Sequence, residues 1–184
     1  MRRFTLQAAL IGALLAAFGA GSYALAGGGT SQIKSDDMTG YLEVAGPGPV
    51  SSVASGSFEA RIDDEANEIQ YTLSYENLEA PVAQAHIHFG QRSVNGGISA
   101  WLCEGTSLSP SASTPTCPGQ GGTVSGTITP LEVIGPNGQG IAPGEFEELV
   151  AAIRAGRAYA NVHSAKFPGG EIRGQLNDRN QRDD

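Results

Sequence analysis

The sequence feature that most constrains the fold is a strict alternation of apolar and polar residues. Residues 68–75 read EIQYTLSY, in which every second residue is large and apolar. Residues 57–63, SFEARID, show the same alternation. Because successive side chains of a strand point to opposite faces, the two stretches predict half-buried strands. The turn-forming run DDEAN at 63–67 predicts a hairpin between them.

The rest of the chain extends this pattern. Further strands are predicted at 83–89, 97–102, 121–129, 158–164 and 170–176. One helix is predicted between Pro143 and Arg154, where apolar residues recur at helical spacing and Gly156 follows as a stop signal. Short strands, glycine and proline turns and a single helix predict an all-β fold, an antiparallel β-sandwich or barrel with one short helix. No internal repeat is found, and we expect one domain.

The two ends of the chain are expected to lie outside this domain. Residues 1–26 combine Arg2 and Arg3 with an apolar run that closes in Ala-Leu-Ala, a pattern typical of a cleaved secretory signal peptide. The alternative is a membrane anchor, since the run has about the 20 residues needed to span a bilayer. Residues 27–38 are glycine-rich and polar and predict a flexible linker. Residues 178–184 predict a polar tail.

The charge of the chain restricts its partners. The net charge is −8, and loss of the signal segment would leave 9 basic against 19 acidic residues. Nucleic acids and anionic membranes require a basic surface, so neither is expected to bind the mature domain. The interpretation that remains is a secreted or periplasmic protein with an unknown protein or metal-ion partner.

The two cysteines, Cys103 and Cys117, are expected to form a disulfide. An even pair in an exported chain is most simply oxidised, and the Ser/Thr/Pro-rich loop between them needs a covalent closure. Metal ligation by two thiolates is the alternative, and an oxidising compartment disfavours it.

The three histidines of the chain fall on compatible strand positions. His86 and His88 alternate with Ala85 and Ile87 in AHIHFG, and His163 is on the polar face of the predicted strand AYANVHS. If these strands are neighbours, the polar faces form an outward patch on which three imidazoles can bind one copper or zinc ion. The alternative is a set of unrelated polar residues, because His-x-His also occurs by chance.

Three other polar residues share these faces. Asn161, Glu171 and Arg173 are predicted to surround the histidines and to orient an imidazole as second-sphere groups. The alternative is that Glu171 and Arg173 have a purely structural role, either as an ion pair with each other or in pairs with cross-strand neighbours. The preceding Pro-Gly-Gly would then simply form a tight turn.

The stretches AHIHFG and GRAYANVHSAKFPGGEIRGQL resemble the CHRD domain family, which is named from chordin and is widespread in exported bacterial proteins. The resemblance covers residues 39–176 and sets the domain at 39–177. It implies an immunoglobulin-like β-sandwich or barrel. In chordin the domains accompany the binding of extracellular signalling proteins, which leaves the function of a bacterial relative open.

The stretch HIHFG is also similar to a copper-binding strand of copper–zinc superoxide dismutases. That resemblance implies a superoxide-dismutase-like sandwich, with His86, His88 and His163 as copper ligands. The chain has no further histidine for a bridging ligand or a zinc site, which excludes the complete dinuclear enzyme.

Three functions therefore remain open. The first is an exported binding or structural module that holds a single copper or zinc ion. The second is a mononuclear copper enzyme with superoxide dismutase-like chemistry, and the third is a metal-free protein-interaction domain. No Gly-x-Ser-x-Gly, phosphate loop or His-Glu-x-x-His motif is present, so the sequence assigns no catalytic residue and favours a protein that is not an enzyme.

Overall fold

The computed structural model describes residues 29–35, 37–44, 46 and 48–178. The predicted signal peptide at 1–26 lies outside these residues. The predicted polar tail also lies outside them, apart from residue 178, which ends the last strand. Within the described residues, no helix has the length and apolar character needed to cross a membrane.

Nine strands of the described chain form one antiparallel sheet, and one short helix accompanies it. The strands are β1 Thr30–Ser35, β2 Met38–Thr39, β3 Ser55–Asp63, β4 Glu68–Glu76, β5 Val82–Phe89, β6 Gly97–Glu104, β7 Gly122–Ile128, β8 Ala158–Ser164 and β9 Ile172–Asp178, and the helix is α1 Phe146–Arg154. Eight strands follow the order β6-β5-β8-β9-β1-β3-β4-β7, while β2 pairs with β3 and β9. This architecture confirms the predicted all-β antiparallel fold with one helix.

The sheet curls so that its two halves face each other across an apolar core. The Tyr71 hydroxyl on β4 donates a hydrogen bond to the Leu102 carbonyl on β6, although these strands lie far apart in the strand order. The apolar face predicted for β4 is fully buried, and the same holds for Ala85 and Ile87 on β5. The alternation in the sequence therefore identified the residues that point into the core.

The prediction of a flexible linker over residues 27–38 is wrong for residues 30–35. Residues 30–35 form β1, which lies between β3 and β9 in the middle of the sheet order. Ile33 and Ser31 are buried there. A strand flanked on both sides is held by two ladders of main-chain hydrogen bonds, so one large apolar residue is enough to anchor it.

The predicted helix begins later than its sequence pattern suggested. Gly144 has φ +88°, a left-handed conformation outside the helix, and α1 begins at Phe146. At its other end Arg154 donates hydrogen bonds to Ser31 on β1 (3.0 Å) and to Asp64 (2.8 Å). These contacts fix α1 against the sheet.

The predicted disulfide between Cys103 and Cys117 is present, with a Cα–Cα distance of 5.0 Å. It closes the loop after β6, where the Glu104 carbonyl also accepts a hydrogen bond from the backbone of Cys117. A disulfide of this kind is typical of proteins that fold in an oxidising compartment.

Candidate metal centre

Strand pairing brings the three histidines onto one face of the sheet. β5 lies between β6 and β8, and His86 is paired with Asn161 on one side and Trp101 on the other. The β5–β6 ladder shifts register twice, between Ala85 and His86 and between Ile87 and His88. One shift comes directly before each histidine, and in each case the extra residue, Leu102 or Ser99, is on β6.

This polar face is buried, which corrects the expectation that it points outward to solvent. His86 is 0% exposed, His88 7% and His163 6%, and every residue of β8 is buried. Two loops cover the face, and they are joined by a 3.0 Å hydrogen bond from the Asn95 side chain to the Val44 carbonyl. The histidines therefore form a polar cluster inside the protein.

The three imidazoles converge on a common point. One ligand nitrogen of each histidine can be chosen so that all three atoms lie within 4.8 Å of one another. The closest pair is Nδ1 of His86 and Nε2 of His163, at 3.3 Å. The ring centroids are 5.1 to 5.9 Å apart, and no two of these rings stack face to face.

Hydrogen bonds fix the tautomer of two imidazoles. Nδ1 of His88 lies 2.9 Å from the Gly96 carbonyl, and Nδ1 of His163 lies 3.0 Å from the Pro168 carbonyl. A carbonyl only accepts hydrogen bonds, so in each neutral ring Nδ1 carries the proton and Nε2 carries a lone pair. Both Nε2 atoms are thereby held in the form that binds a metal ion.

Burial keeps the cluster uncharged at neutral pH. The apolar surroundings, and then the neighbouring imidazoles of His163 and His88, lower the pKa of His86 to about 2. Burial also lowers the pKa of His88 to about 4, although its bond to the Gly96 carbonyl opposes the shift. The pKa of His163 is lowered for the same principal reason. Three neutral imidazoles are the protonation state that metal binding requires.

The donor set fits a transition-metal ion. Metal–nitrogen bonds of about 2.0–2.1 Å place the ligand nitrogens of a tetrahedral or trigonal site roughly 3.3–3.6 Å apart. The His86–His163 pair already has this separation. Nε2 of His86 and Nε2 of His88 are buried and have no hydrogen-bond partner within the described protein. Buried polar atoms are normally satisfied, so Nε2 of His88, whose Nδ1 is already bonded to the Gly96 carbonyl, indicates a missing partner. His86 can offer an ion either Nδ1, which faces His163, or Nε2, but only one of the two can bind a given ion.

The three predicted second-sphere residues have different roles. Asn161 donates hydrogen bonds to the Glu43 carboxylate (2.6 Å) and the Ile172 carbonyl (2.8 Å). Glu171 accepts from Ser52 (2.7 Å) and the backbone of Glu79 (2.9 Å). None of these bonds reaches an imidazole.

Arg173 contacts the cluster through an aromatic ring. Its guanidinium lies 3.6 Å from the centroid of Tyr159, and that ring stacks on His88 at 4.8 Å. Its hydrogen bonds go to the carbonyls of Val94 (3.1 Å) and Gln91 (3.2 Å) in the covering loop. The alternative of an ion pair between Arg173 and Glu171 is therefore wrong, because both groups are bound elsewhere.

Sequence analysis missed the residues that enclose the cluster. Trp101 packs edge-on against His86 with ring centroids 4.4 Å apart, and the Tyr159 hydroxyl accepts a hydrogen bond from the Gly96 backbone at 3.1 Å. Glu43 is buried beside Asn161. Tyr159 could have been found, because it lies on the same strand face as His163. Trp101 and Glu43 could not, because their contacts with the cluster depend on strand register and on the path of a loop.

One glycine is required by this packing. Gly170 has φ +129°, and a Cβ atom there would collide with the Glu43 carboxylate and lie 2.9 Å from the Asn161 amide. The backbone of the Pro-Gly-Gly turn therefore approaches the buried polar layer more closely than a side chain would permit.

Fold and site together define an antiparallel β-domain with a buried cluster of three neutral histidines. The model of the CHRD domain family matches residues 35–176, which is most of the chain. The chain therefore belongs to the CHRD domain family, and the match begins four residues before the predicted one. No curated protein and no solved structure matches the chain. The comparisons give no support to the resemblance to superoxide dismutases.

Proposed function

We propose that this chain is an exported CHRD module that binds one copper or zinc ion through His86, His88 and His163. The observation that carries the proposal is the convergence of three buried imidazoles, one nitrogen of each lying within 4.8 Å of the others, together with the buried Nε2 of His88, which has no hydrogen-bond partner among the described residues. Burying the Nε2 lone pair of His88 without a partner costs free energy, and a bound ion removes that cost.

The surroundings support a role in holding an ion rather than in general polar packing. The carbonyls of Gly96 and Pro168 orient the rings of His88 and His163. Second-sphere hydrogen bonds of this kind are typical of metal-binding histidines. The disulfide and the predicted signal peptide support a secreted or periplasmic location, where the module acts as a carrier, store or metal-stabilised binding domain.

A fluorescence titration tests this proposal. Trp101 is the only tryptophan of the chain and packs against His86, so Cu(II) or Zn(II) in the site is expected to change its emission. The expected result is one equivalent of metal per chain, measured both by fluorescence and by elemental analysis after desalting.

A variant with all three histidines changed to glutamine is the matched control. It keeps every carboxylate of the acidic chain, so it reports any non-specific binding of divalent ions. Equal stoichiometry in the variant and the wild type would refute the metal site and leave a metal-free interaction domain. If copper binds, a superoxide assay on the loaded protein separates an enzyme from a carrier.

A further inference from the structure

The ligands of the candidate site bring no negative charge to it. The described residues provide three mutually close donors, His86, His88 and His163, and no cysteine, aspartate or glutamate joins the group. The second nitrogens of His88 and His163 contact backbone carbonyls, and among the described residues no hydrogen bond of the three imidazoles goes to a carboxylate. A bound cation would therefore keep its full charge inside the protein.

Burial makes the size of that charge decisive. The cost of transferring an ion from water to a medium of low dielectric constant rises with the square of its charge, so a divalent ion costs about four times as much as a monovalent one. All three imidazoles are at least nine-tenths buried. Aromatic rings of Trp101 and Tyr159 pack on His86 and His88, respectively.

A buried cation close to the site adds to this preference. Arg173 lies against Tyr159, and the ring of Tyr159 lies against His88 on the neighbouring strand, so the guanidinium is held one aromatic ring away from a ligand. Its charge repels a divalent ion twice as strongly as a monovalent one. The opposing charges in this layer are the buried carboxylates of Glu43 and Glu171. Glu43 is bound to the Asn161 amide and the Val44 backbone, and Glu171 to the Ser52 hydroxyl and the Glu79 backbone, so neither is bound to a histidine.

The number of ligand nitrogens also favours a monovalent ion. Zn(II) held by three histidines takes a fourth ligand such as water, and Cu(II) favours a tetragonal arrangement, so both need a further ligand inside a buried site, whereas Cu(I) is stable with three donors. We propose that the three-histidine site selects a monovalent ion of the copper group, Cu(I), over Cu(II) and Zn(II). This inference rests on the proposed function, since it names the ion that the same site takes.

The test compares a monovalent and a divalent probe on the full-length protein. Ag(I) is a redox-inert substitute for Cu(I), and it is titrated in chloride-free buffer against Zn(II), with Trp101 emission and elemental analysis as readouts. No thiol reductant is used, because the Cys103–Cys117 disulfide must stay intact. We expect Ag(I) to bind at least 100-fold more tightly than Zn(II).

The reduction potential of the copper-loaded protein gives a second measurement. Tighter binding of Cu(I) than of Cu(II) raises the potential above that of the free aqueous couple, by about 59 mV for each tenfold preference. A 100-fold preference thus corresponds to a rise of about 120 mV. Protein-film voltammetry or titration with redox mediators measures it.

Two variants test the contribution of Arg173. Arg173→Met removes the charge and keeps much of the side-chain volume, while Arg173→Lys keeps the charge and loses the planar stack. We expect the ratio of Ag(I) to Zn(II) affinity to fall roughly tenfold in Arg173→Met and to change little in Arg173→Lys. If neither variant folds, the wild-type ratio and potential decide the question.

The outcomes separate the two proposals. Zn(II) or Cu(II) binding as tightly as the monovalent probes, or a potential at or below that of the aqueous couple, would overturn the selectivity and leave a metal site for divalent ions. Failure of Ag(I), Cu(I), Cu(II) and Zn(II) alike to bind would refute the metal site itself. One-to-one binding that favours Ag(I) and a raised potential support both.

Discussion

Acidification of the metal-free protein tests whether the three histidines are buried in their neutral form. The perturbation is a change from about pH 7 to about pH 4.5 after metal is removed with a chelator. In the unfolded chain a histidine has a pKa near 6.5, whereas burial lowers the pKa of His88 to about 4 in the folded protein. The unfolded state then binds more protons across this range, so the free energy of unfolding falls as the pH falls.

The size of the effect follows from the two pKa values. One pKa unit corresponds to about 1.4 kcal/mol. A pH of about 4.5 lies about two units below the histidine pKa of the unfolded chain, so that histidine is protonated, while His88 in the folded protein is still largely neutral. His88 alone therefore accounts for a loss of about 2.5 kcal/mol. His86, whose pKa is lower still, contributes a similar amount. Together these losses approach the total stability of a small domain, about 5–15 kcal/mol.

The assay is urea unfolding of the wild type and of His88→Gln at about pH 7, 5.5 and 4.5. Both proteins share every other titrating group, so the difference between their pH profiles reports the loss of His88 together with its effect on the pKa of His86. We expect the wild type to lose about 2.5 kcal/mol more than the variant over this range. Parallel profiles would refute the conclusion that His88 is held neutral by burial.

Three further predictions concern the frame of the site. Gly170→Ala is expected to lower the free energy of unfolding by about 1–3 kcal/mol, measured by urea denaturation, because a Cβ atom has no room there and φ is positive. Tyr159→Phe removes the acceptor of the Gly96 N–H, which costs about 1–3 kcal/mol and weakens metal binding roughly tenfold, measured by fluorescence titration. Selective reduction of Cys103–Cys117 is expected to lower the free energy of unfolding by about 3 kcal/mol, measured with the reduced protein under the same conditions.

Each of these predictions has a matched control. Gly48→Ala places a Cβ atom in open space, so a loss of stability equal to that of Gly170→Ala would contradict the steric argument. Tyr75→Phe removes another tyrosine hydroxyl with a backbone partner, the Pro118 carbonyl at 3.0 Å, in a different part of the sheet. It is expected to leave metal affinity unchanged. The double variant Cys103→Ser/Cys117→Ser should reproduce the stability of the reduced protein, and a stable reduced form would contradict the loop-closure argument.

Residue alternation was sufficient to predict most strands of the sheet. The apolar faces of β3, β4 and β5 are the faces that pack in the core, because each strand contains enough large side chains at period two. β1 was missed because it contains a single large apolar residue and is held by its neighbours on both sides. The residue pattern of a short segment gives no information on which strands will pair with it.

Residue alternation also predicted that His86, His88 and His163 share one face of the sheet, but it did not predict that this face is buried. The position of each histidine on a strand face follows from local alternation, and the three side chains do meet. The cover over them consists of loops near Val44 and Asn95, and their sequences, AGPGPV after Val44 and GQRSVNG around Asn95, have no periodicity. Their path depends on contacts with residues more than fifty positions away, such as the bond between Glu43 and Asn161.

The pairing of β5 with β8 joins histidines that are 77 positions apart in the chain. An unfolded chain offers an ion only the His86–His88 pair on a flexible segment, and the complete set exists only after most of the sheet has formed. A chain that crosses a membrane unfolded would therefore acquire its ion at its destination, after folding. By mass action the captured ion would then stabilise the folded state in proportion to the logarithm of its free concentration, so that local metal supply would set the fraction of chains that is folded.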